Sequence, residues 1–568
     1  MKNPDHTNEG AETFLETLNE HGINFIFLNP GIDMVPIQAA VAKYRSLDKK
    51  APQIILCPHE SVVVAAAHGC AAASGRPQVA AVFQDVGTLQ AGGAIPNLKY
   101  GRAPVILCAG RNPIPLMNWL GEPTDQLKIA RDYVKWDHEV ARDEDIRSVL
   151  AQAFRIASAE PGGPVYLAIP REVLTGNRGQ KEVSVGPSPR VLPGIDRSAV
   201  NRAAQMLIEA ENPLILTASA GRHPEAVPLL VELAEALGAR AITTDLRMSF
   251  PSSHPLCPGI DAVFGDTHDH YIPEADVLLL VDYDFPGPIP KRVAPGQEAK
   301  IIHIDLEPLK RGKPLWGRVP DILMEGDSRQ FLAALNQEIR DRVNGGANAR
   351  YRERSSRIAA EHQESKERWR ELARGHGDHR PISTDWLCYC INEALDEDAV
   401  IVHMIPSTAD AIERQIRRSA PGSMYCWGDS AGSMGWSLGA ALGMKLALPD
   451  RMVVSLIGDG GFIYGCPVAA LWSAAAYNAP FLTVIFNNQS YHSIRMIVGM
   501  EFGEQYVSGE MGFNVGTDMK NPPDFGAVAA ACGGYGQTVE DPSDLPSALK
   551  KAVAEVRAGR PAVLNVMI

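Results

Sequence analysis

Short apolar segments of strand length alternate with longer helical patterns along almost the whole chain. Parallel strands need a crossover connection, which is usually a helix, and their apolar runs are buried on both faces of the sheet. The alternation therefore predicts an α/β fold built from doubly wound parallel sheets. In the first part of the chain it predicts helices at Thr13–His21 and Ser61–Ser74 and strands at Asn24–Leu28, Ile54–Cys57, Val79–Phe83, Pro104–Ala109 and Val165–Ile169.

The alternation occurs in three segments, 8–180, 197–340 and 382–568, which predicts three domains. A chain of 568 residues fits this number, since domains usually hold roughly 100–200 residues. Proline and glycine separate the first two segments at 186–194, and the charged stretch 348–381 predicts an exposed helix leading into a linker. The second and third segments predict a helix at Ser328–Val343 and strands at Leu214–Thr217, Ala241–Thr244, Val277–Val281, Lys300–Asp305, Val400–Met404, Val453–Ile457, Leu482–Phe486 and Ala562–Val566.

Composition excludes several classes of partner. The formal net charge of −13 argues against nucleic acid and against an anionic membrane surface, because both select basic proteins. No apolar run approaches the length of a membrane span, and the polar start of the chain does not resemble a targeting peptide. The nine cysteines are scattered, without a Cys-x-x-Cys pair. These features predict a cytoplasmic protein that acts on a small molecule.

The most informative motif lies at the ends of two predicted strands. One strand ends in Gly458-Asp459-Gly460-Gly461 and the next ends in Asn487-Asn488, and residues 461–486 between them suit a single strand–helix–strand crossover. Such a crossover places Asp459 and Asn488 at the sheet edge where α/β proteins bind ligands. Their side-chain oxygens, with a carbonyl such as that of Ser490, are ligands that Mg²⁺ favours, and the glycines let backbone amides approach phosphates. A capped turn at the strand end is the structural alternative.

This spacing resembles the cofactor signature of thiamine-diphosphate enzymes of the acetolactate synthase and benzoylformate decarboxylase branch. The resemblance implies an N-terminal pyrimidine-binding domain, a central domain and a C-terminal domain that binds diphosphate and Mg²⁺. It also implies a homodimer or homotetramer with the active site at a subunit interface. Further segments similar to the family are Phe27–Gly31, Gly163–Pro170, Ile301–Pro308 and Ser430–Trp436.

The resemblance assigns a catalytic role to Glu60, which lies where a strand meets a helix. In this family a carboxylic acid in an apolar site stabilises the imino form of the cofactor's aminopyrimidine, which then deprotonates the thiazolium C2. A glutamate at a helix start is otherwise a favourable charge at the helix dipole. The resemblance also implies that Gly432, Ser433 and Met434 contact the cofactor and hold it in a bent shape. Ser407 and Thr408 are expected to contact the cofactor as well, or alternatively to cap the helix that begins near Ala409. Tyr491 and His492, just beyond the metal turn, are the remaining expected contacts.

The residues around the reactive carbon depart from the family pattern. Phe83 or Gln84 stands where benzoylformate decarboxylases carry a histidine. His492, His59, Asp85 and Gln90 are candidates to replace that acid–base group, and each has an ordinary structural role as its alternative. Of these, His492 is preferred, because a neutral imidazole just beyond the metal turn suits proton transfer at cytosolic pH.

The central domain gives further expectations. Its segment Val281–Pro288 is acidic and broken by proline, which argues against the flavin adenine dinucleotide of acetolactate synthases. The function predicted is a lyase or carboligase acting on a 2-oxo acid or an acyloin. One alternative is a 2-hydroxyacyl-CoA lyase or oxalyl-CoA decarboxylase, for which Lys310, Arg311 and Lys313 are weak support. The other is a non-catalytic relative, which should have lost Glu60 or Asp459. His268-Asp269-His270 is interpreted as a solvated loop.

Overall fold

Three parallel sheets organise the chain, which confirms the predicted α/β class. In the described residues each sheet has six strands, and all strand pairs within the sheets are parallel. Among these residues no helix is both long and apolar enough to cross a membrane. The computed structural model describes residues 8–111, 124–141, 145–176, 194–244, 247–261, 270–283, 294–309, 318–343, 349–426, 432–507 and 516–568.

The N-terminal sheet has helices packed on both faces, as two separate apolar clusters show. Its strands are β1 (Phe25–Leu28), β2 (Gln53–Leu56), β3 (Gln78–Val82), β4 (Val105–Arg111), β5 (Trp136–Glu139) and β6 (Val165–Pro170). They lie in the order β2-β1-β3-β4-β6-β5. The helices are α1 (Glu9–Glu20), α2 (Val35–Ser46), α3 (Glu60–Ser74), α4 (Gln84–Gln90), α5 (Ala94–Tyr100), α6 (Ile146–Ser158) and α7 (Arg171–Thr175).

The central sheet has its own apolar core. Its strands are β7 (Pro213–Thr217), β8 (Arg240–Thr244), β9 (Ile260–Asp261), β10 (Val277–Val281), β11 (Lys300–Asp305) and β12 (Ile322–Glu325), in the order β12-β11-β10-β7-β8-β9. The helices are α8 (Arg197–Glu209), α9 (Ala226–Leu237), α10 (Tyr271–Glu274) and α11 (Ser328–Val343).

A long charged helix, α12 (Ala349–Gly375), follows the central domain. As predicted, the helix is exposed over most of its surface, but one face is not, because Tyr351, Arg354 and Ile358 are buried. The Arg354 guanidinium donates hydrogen bonds to the carbonyls of Gly238 at 2.9 Å and Ala210 at 3.0 Å, the C-cap residues of α9 and α8. Since the last carbonyls of a helix have no partner within it, a buried arginine satisfies them and holds α12 against the domain.

The C-terminal sheet repeats the strand order of the N-terminal sheet, β14-β13-β15-β16-β18-β17. Its strands are β13 (Val400–Met404), β14 (Met424–Cys426), β15 (Val453–Gly458), β16 (Leu482–Asn487), β17 (Tyr535–Val539) and β18 (Ala562–Met567). The helices are α13 (Thr384–Ala394), α14 (Ala409–Gln415), α15 (Trp436–Ala447), α16 (Asp459–Tyr464), α17 (Pro467–Ala476), α18 (His492–Phe502), α19 (Phe525–Ala531) and α20 (Leu545–Arg557).

Helices α3 and α15 join the N-terminal and C-terminal domains within one chain. A Cβ added at Gly69 of α3 would collide with the Ala440 carbonyl, and one added at Gly443 of α15 would collide with the Ala66 carbonyl. The two backbones therefore pack in direct contact, which only glycine permits here. This packing fixes Glu60, the first residue of α3, relative to the segment that leads into α15.

Candidate active site

The carboxyl ends of β15 and β16 bring together Asp459, which directly follows β15, and Asn488 and Ser490, which lie in the turn after β16. Asp459 accepts hydrogen bonds from the backbone amide of Gly460 at 2.7 Å (Oδ1) and from that of Ser490 at 3.2 Å (Oδ2). The Ser490 amide also donates to Asn488 Oδ1 at 3.0 Å. Asp459 is 2% exposed, and this burial raises its pKa, while the backbone hydrogen bonds act in the opposite direction.

Two buried hydroxyls at this sheet edge have no hydrogen-bond partner among the residues that the structure describes, those of Ser490 and Thr408. Thr408 ends a 3₁₀ turn, Pro406–Thr408, after β13, and half-buried Ser407 lies beside it. The alternative that Thr408 caps the following helix is not seen, because its side chain makes no hydrogen bond to α14. Since buried polar groups are normally paired, the two hydroxyls fit a site that holds a polar ligand.

The glycines of the motif differ in how much space surrounds them. A Cβ at Gly460 would lie 3.1 Å from the Tyr491 ring, and one at Gly461 would lie 2.9 Å from Met404 Cε. By contrast, no atom lies within 4 Å of a Cβ added at Gly458. Within the described residues no three His, Cys, Asp or Glu side chains form a metal-binding group. A metal at this turn would therefore depend on Asp459 together with amide and backbone oxygens.

Glu60 lies at the corresponding edge of the N-terminal sheet, in a different cluster from Asp459. It is 9% exposed, and a Cβ added at Gly87 would lie 3.1 Å from its Oε1 and 3.4 Å from the Val82 Cβ. Gly87 therefore leaves the space that the carboxyl group occupies beside an apolar side chain. Sequence reasoning did not single out Gly87, because its role depends on how α4 packs beside α3.

A cavity of about 250 Å³ between the N- and C-terminal domains brings together His59, Gln90, Ser433 and Met434. The segment before α15 is held by Asn97, whose Nδ2 donates to the Ser433 carbonyl at 3.4 Å. Gly432, with a φ of 79°, and Gly435, with a φ of 78°, both adopt the left-handed conformation. At Gly435 a side chain would also collide with Gly465, so this turn needs glycine for two reasons.

Two further acid–base candidates, His59 and Asp85, both make hydrogen bonds to neighbouring residues. His59 caps α3, since its Nδ1 accepts a hydrogen bond from the Ser61 amide at 3.2 Å. Both carboxylate oxygens of Asp85 are engaged, by the amide of Val86 at 2.8 Å and by Thr124 Oγ1 at 3.0 Å. The Asp85 carboxylate is thus held by structural contacts.

His492 is the first residue of α18 and is only partly exposed. Its amide donates to the Ser490 carbonyl at 2.8 Å, which places it directly beside the Asp459 turn. Partial burial and the nearby Arg495 lower its pKa, so the imidazole is neutral at pH 7. Tyr491, also exposed, lies with its ring against Gly460.

The central domain carries an ion pair at the strand end where flavin was considered. Asp282 is buried, and its carboxylate lies 3.0 Å from Arg222 Nη1. The absence of flavin stays a prediction. Several other sequence predictions fall on residues outside the described ranges, namely those on residues 284–288, Lys310, Arg311, Lys313, His268, Asp269, Ser430 and Ala431.

One buried carboxyl group of the N-terminal domain was missed by sequence reasoning. Asp33 follows the Asn29–Gly31 turn at the end of β1 and is only 2% exposed. Burial raises its pKa to about 6, although its own amide and that of Gln84 act in the opposite direction. Gly110, at the end of β4, leaves the space that its carboxylate fills. No local pattern signals this burial.

Asp33→Asn is expected to stabilise the protein at neutral pH by about 1–3 kcal/mol, because a rise from the ordinary 3.8 to about 6 corresponds to about 3 kcal/mol. In the wild type the unfolded chain loses the Asp33 proton near pH 4 and the folded chain near pH 6. Stability from this group is therefore greatest below pH 4 and declines as pH rises to 6. Urea titrations between pH 4 and 8 test this, with exposed Asp378→Asn as control. Parallel pH profiles of wild type and Asp33→Asn would contradict it.

Comparison with known proteins identifies the family. The models of the N-terminal TPP binding domain, the central domain and the C-terminal TPP binding domain of thiamine pyrophosphate enzymes match residues 8–130, 200–335 and 407–566. The chain is 29% identical to a benzoylformate decarboxylase of Pseudomonas aeruginosa, over 97% of each chain. It is 26% identical to a probable acetolactate synthase large subunit of Methanocaldococcus jannaschii, over 99% of this chain and 92% of the relative.

Solved structures share the fold. The thiamine diphosphate-dependent 4-hydroxybenzoylformate decarboxylase of Rhodococcus jostii superposes with a TM-score of 0.80 at 23% identity, over 98% of each chain. The benzoylformate decarboxylase of Polynucleobacter necessarius gives a TM-score of 0.78 at 22% identity, again over 98% of each chain. This chain therefore belongs to the thiamine pyrophosphate enzymes and is an enzyme of their decarboxylase and acetolactate synthase kind.

Proposed function

We propose that this enzyme uses thiamine diphosphate and Mg²⁺ to break or form a carbon–carbon bond next to the carbonyl of a 2-oxo acid. The observation that carries the proposal is the hydrogen-bonded cluster that Asp459, Asn488 and Ser490 form at the ends of β15 and β16. The names of the relatives support the substrate class, since benzoylformate is a 2-oxo acid. Glu60 and Asp459 are both present, which argues against a non-catalytic relative.

The proposed metal ligands are the Asp459 carboxylate, the Asn488 amide oxygen and the Ser490 carbonyl. All are hard oxygen atoms, the type that Mg²⁺ binds together with phosphate oxygens. The buried hydroxyls of Thr408 and Ser490 are proposed to lie toward the diphosphate, because they have no hydrogen-bond partner among the described residues. Burial raises the pKa of Asp459, so a divalent cation would stabilise its ionised form.

The proposed role of Glu60 is to share a proton with the cofactor's pyrimidine ring. When bound, thiamine diphosphate supplies a nucleophilic carbon that adds to a carbonyl group. Glu60 suits its role because its carboxyl group is buried beside Val82 and Gly87, where little water competes for the hydrogen bond. Met434, in the wall of the cavity between the domains, is proposed to support the bent shape of the cofactor.

We further propose that two copies of the chain pair to form each active site. Large apolar side chains are exposed near both candidate clusters, among them Val86 and Leu89 (54% and 63%) beside Glu60 and Ile494 and Phe502 (53% and 64%) beyond Asp459. Exposed apolar clusters of this kind mark interaction sites. A second copy would cover both and join the Glu60 edge of one chain to the Asp459 edge of the other. Light scattering in solution distinguishes a dimer, a tetramer and a monomer.

The substrate class is tested by incubating the purified enzyme with thiamine diphosphate, Mg²⁺ and a panel of 2-oxo acids, with carbon dioxide release as the readout. A second panel of 2-hydroxyacyl and oxalyl thioesters of coenzyme A tests the alternative. Turnover confined to the thioesters would reject the 2-oxo acid proposal and leave the cofactor proposal standing.

His492→Ala is expected to lower turnover of the substrate found in that panel by about tenfold or more. The reason is that a neutral imidazole beside the Asp459 turn can accept a proton, and partial burial and Arg495 keep its pKa below the ordinary 6.5. In the wild type, activity should therefore fall as acid protonates His492, and the variant should lack this limb of the pH–rate profile. Cofactor affinity should not change.

His379→Ala, which alters an exposed histidine far along the chain from the site, is the matched control. Unchanged turnover with an unchanged pH profile in His492→Ala would transfer the role to His59 or Asp85.

A further inference from the structure

A thiol, an imidazole and a hydroxyl meet at the junction of the N- and C-terminal domains. Ser61 Oγ lies 2.8 Å from His59 Nδ1 and 3.9 Å from Cys466 Sγ. His59 and Ser61 flank Glu60 at the start of α3, and Cys466 directly precedes α17. The cluster is therefore assembled from two domains, and its thiol is separate from the turn that holds Asp459.

The electrostatics of this cluster favour a charged thiol. A hydrogen bond between the His59 ring and the Cys466 thiol raises the pKa of His59 and lowers the pKa of Cys466. Cys466 is also the N-cap of α17, a helix of 10 residues whose first backbone N–H groups favour negative charge. Both effects increase the share of thiolate, which is the nucleophilic form of cysteine.

Access distinguishes Cys466 from the other cysteines. All eight of the others are buried, whereas Cys466 is only half-buried. Burial raises the pKa of Cys57, Cys70 and Cys108 to about 12, so these thiols stay protonated. Cys466 lines the cavity of about 250 Å³ that also contains His59 and Met434. A small reagent in this cavity would therefore meet one accessible thiol, already beside a base.

We propose that Cys466 is a nucleophilic thiol that small electrophiles modify covalently, and that His59 couples this modification to the start of α3. With an alkyl iodide, the sulfur electron pair forms an S–C bond, the C–I bond breaks and iodide leaves, so no oxidant or reductant is needed. The adduct occupies the cavity and removes the thiolate partner of His59. Because His59 immediately precedes Glu60, the change is transmitted to the carboxyl group that the proposed reaction needs.

The test uses the complete enzyme with thiamine diphosphate and Mg²⁺, treated with limiting iodoacetamide and followed by peptide mass spectrometry. Cys466 is expected to be labelled first among the nine cysteines. Its labelling rate should rise with pH with a midpoint below about 8.5, the value of a free cysteine. His59→Gln should lower the rate at pH 7 by about tenfold, since the thiolate loses its partner.

Two variants serve as controls. Cys466→Ser should lack the fast label, and Cys532→Ser, which removes a buried thiol, should keep it. First labelling at another cysteine, or a midpoint at or above about 8.5, would overturn the proposal. If His59→Gln does not fold, the pH profile of the wild type decides alone.

The coupling to Glu60 is tested by measuring hydrogen exchange at C2 of the bound cofactor. This part of the experiment rests on the proposed function. Exchange in the wild type should fall in step with labelling, whereas iodoacetamide should leave exchange in Cys466→Ser at the level of the untreated variant. Full exchange in fully labelled enzyme would overturn the coupling. Labelling itself does not depend on the proposed function, so the two failures are distinguishable.

Discussion

Glu60→Gln is expected to lower hydrogen–deuterium exchange at C2 of bound thiamine diphosphate by a factor of about 10²–10⁴, the range for positioned acid–base groups. The amide has the shape of the carboxyl group, so it should keep the packing against Gly87 and Val82. It cannot, however, share a proton with the pyrimidine ring in the way that a carboxylic acid does. The measurement is the loss of the C2 proton signal from the enzyme-bound cofactor in deuterium oxide.

The competing role of Glu60, a favourable charge at a helix start, predicts a different result. Loss of that charge costs only about 0.3–1 kcal/mol of stability and leaves C2 exchange unchanged. Glu9→Gln is the matched control, because Glu9 begins α1 in the same way. Exchange at the wild-type rate in Glu60→Gln, with cofactor bound, would reduce Glu60 to a helix-start residue.

Asp459→Ala is expected to weaken metal-dependent binding of thiamine diphosphate by about 100-fold or more. The carboxylate is the one charged ligand at the proposed metal site, and without a cation it would repel the diphosphate. The change also removes the acceptor for the Gly460 and Ser490 amides, which order the turn. Calorimetric titration with the cofactor, in Mg²⁺ and in chelator, measures the effect.

Asp459→Asn separates these two contributions, because the amide keeps one acceptor for the turn but removes the charge. We expect the Asn variant to fold like the wild type and to bind the cofactor weakly. The metal assignment would be rejected by tight binding to Asp459→Ala in the presence of chelator.

The two variants together test whether the active site is shared between subunits. In a mixed dimer of Glu60→Gln and Asp459→Ala, one site combines the intact Glu60 of one chain with the intact Asp459 of the other. Random pairing gives mixed dimers for about half of the population, so about a quarter of wild-type activity should return on mixing. No recovery after subunit exchange, verified by mass, would place both residues of each site in one chain.

Much of the fold was predictable because central strands of parallel sheets are buried on both faces. Val277–Val281, Lys300–Asp305 and Val400–Met404 were predicted with the bounds that the structure shows. The first is wholly apolar, and the other two are built around buried apolar residues. Edge strands such as Trp136–Glu139 and Tyr535–Val539 were not predicted. Their residues are mixed in polarity, and only pairing with β6 or β18 defines them as strands.

Some residues of the candidate site were likewise predictable from the sequence, and others were not. Asp459 and Asn488 could be placed together in advance, because a single crossover between parallel strands brings successive strand ends to one edge of the sheet. Asp33 and Cys466 could not, because burial and proton affinity depend on groups distant in sequence. Gly110 at the end of another strand makes room for Asp33, and the partner of the Cys466 thiol, His59, comes from another domain. Local spacing encodes strand ends, whereas the pKa of a side chain depends on whatever the folded chain packs around it.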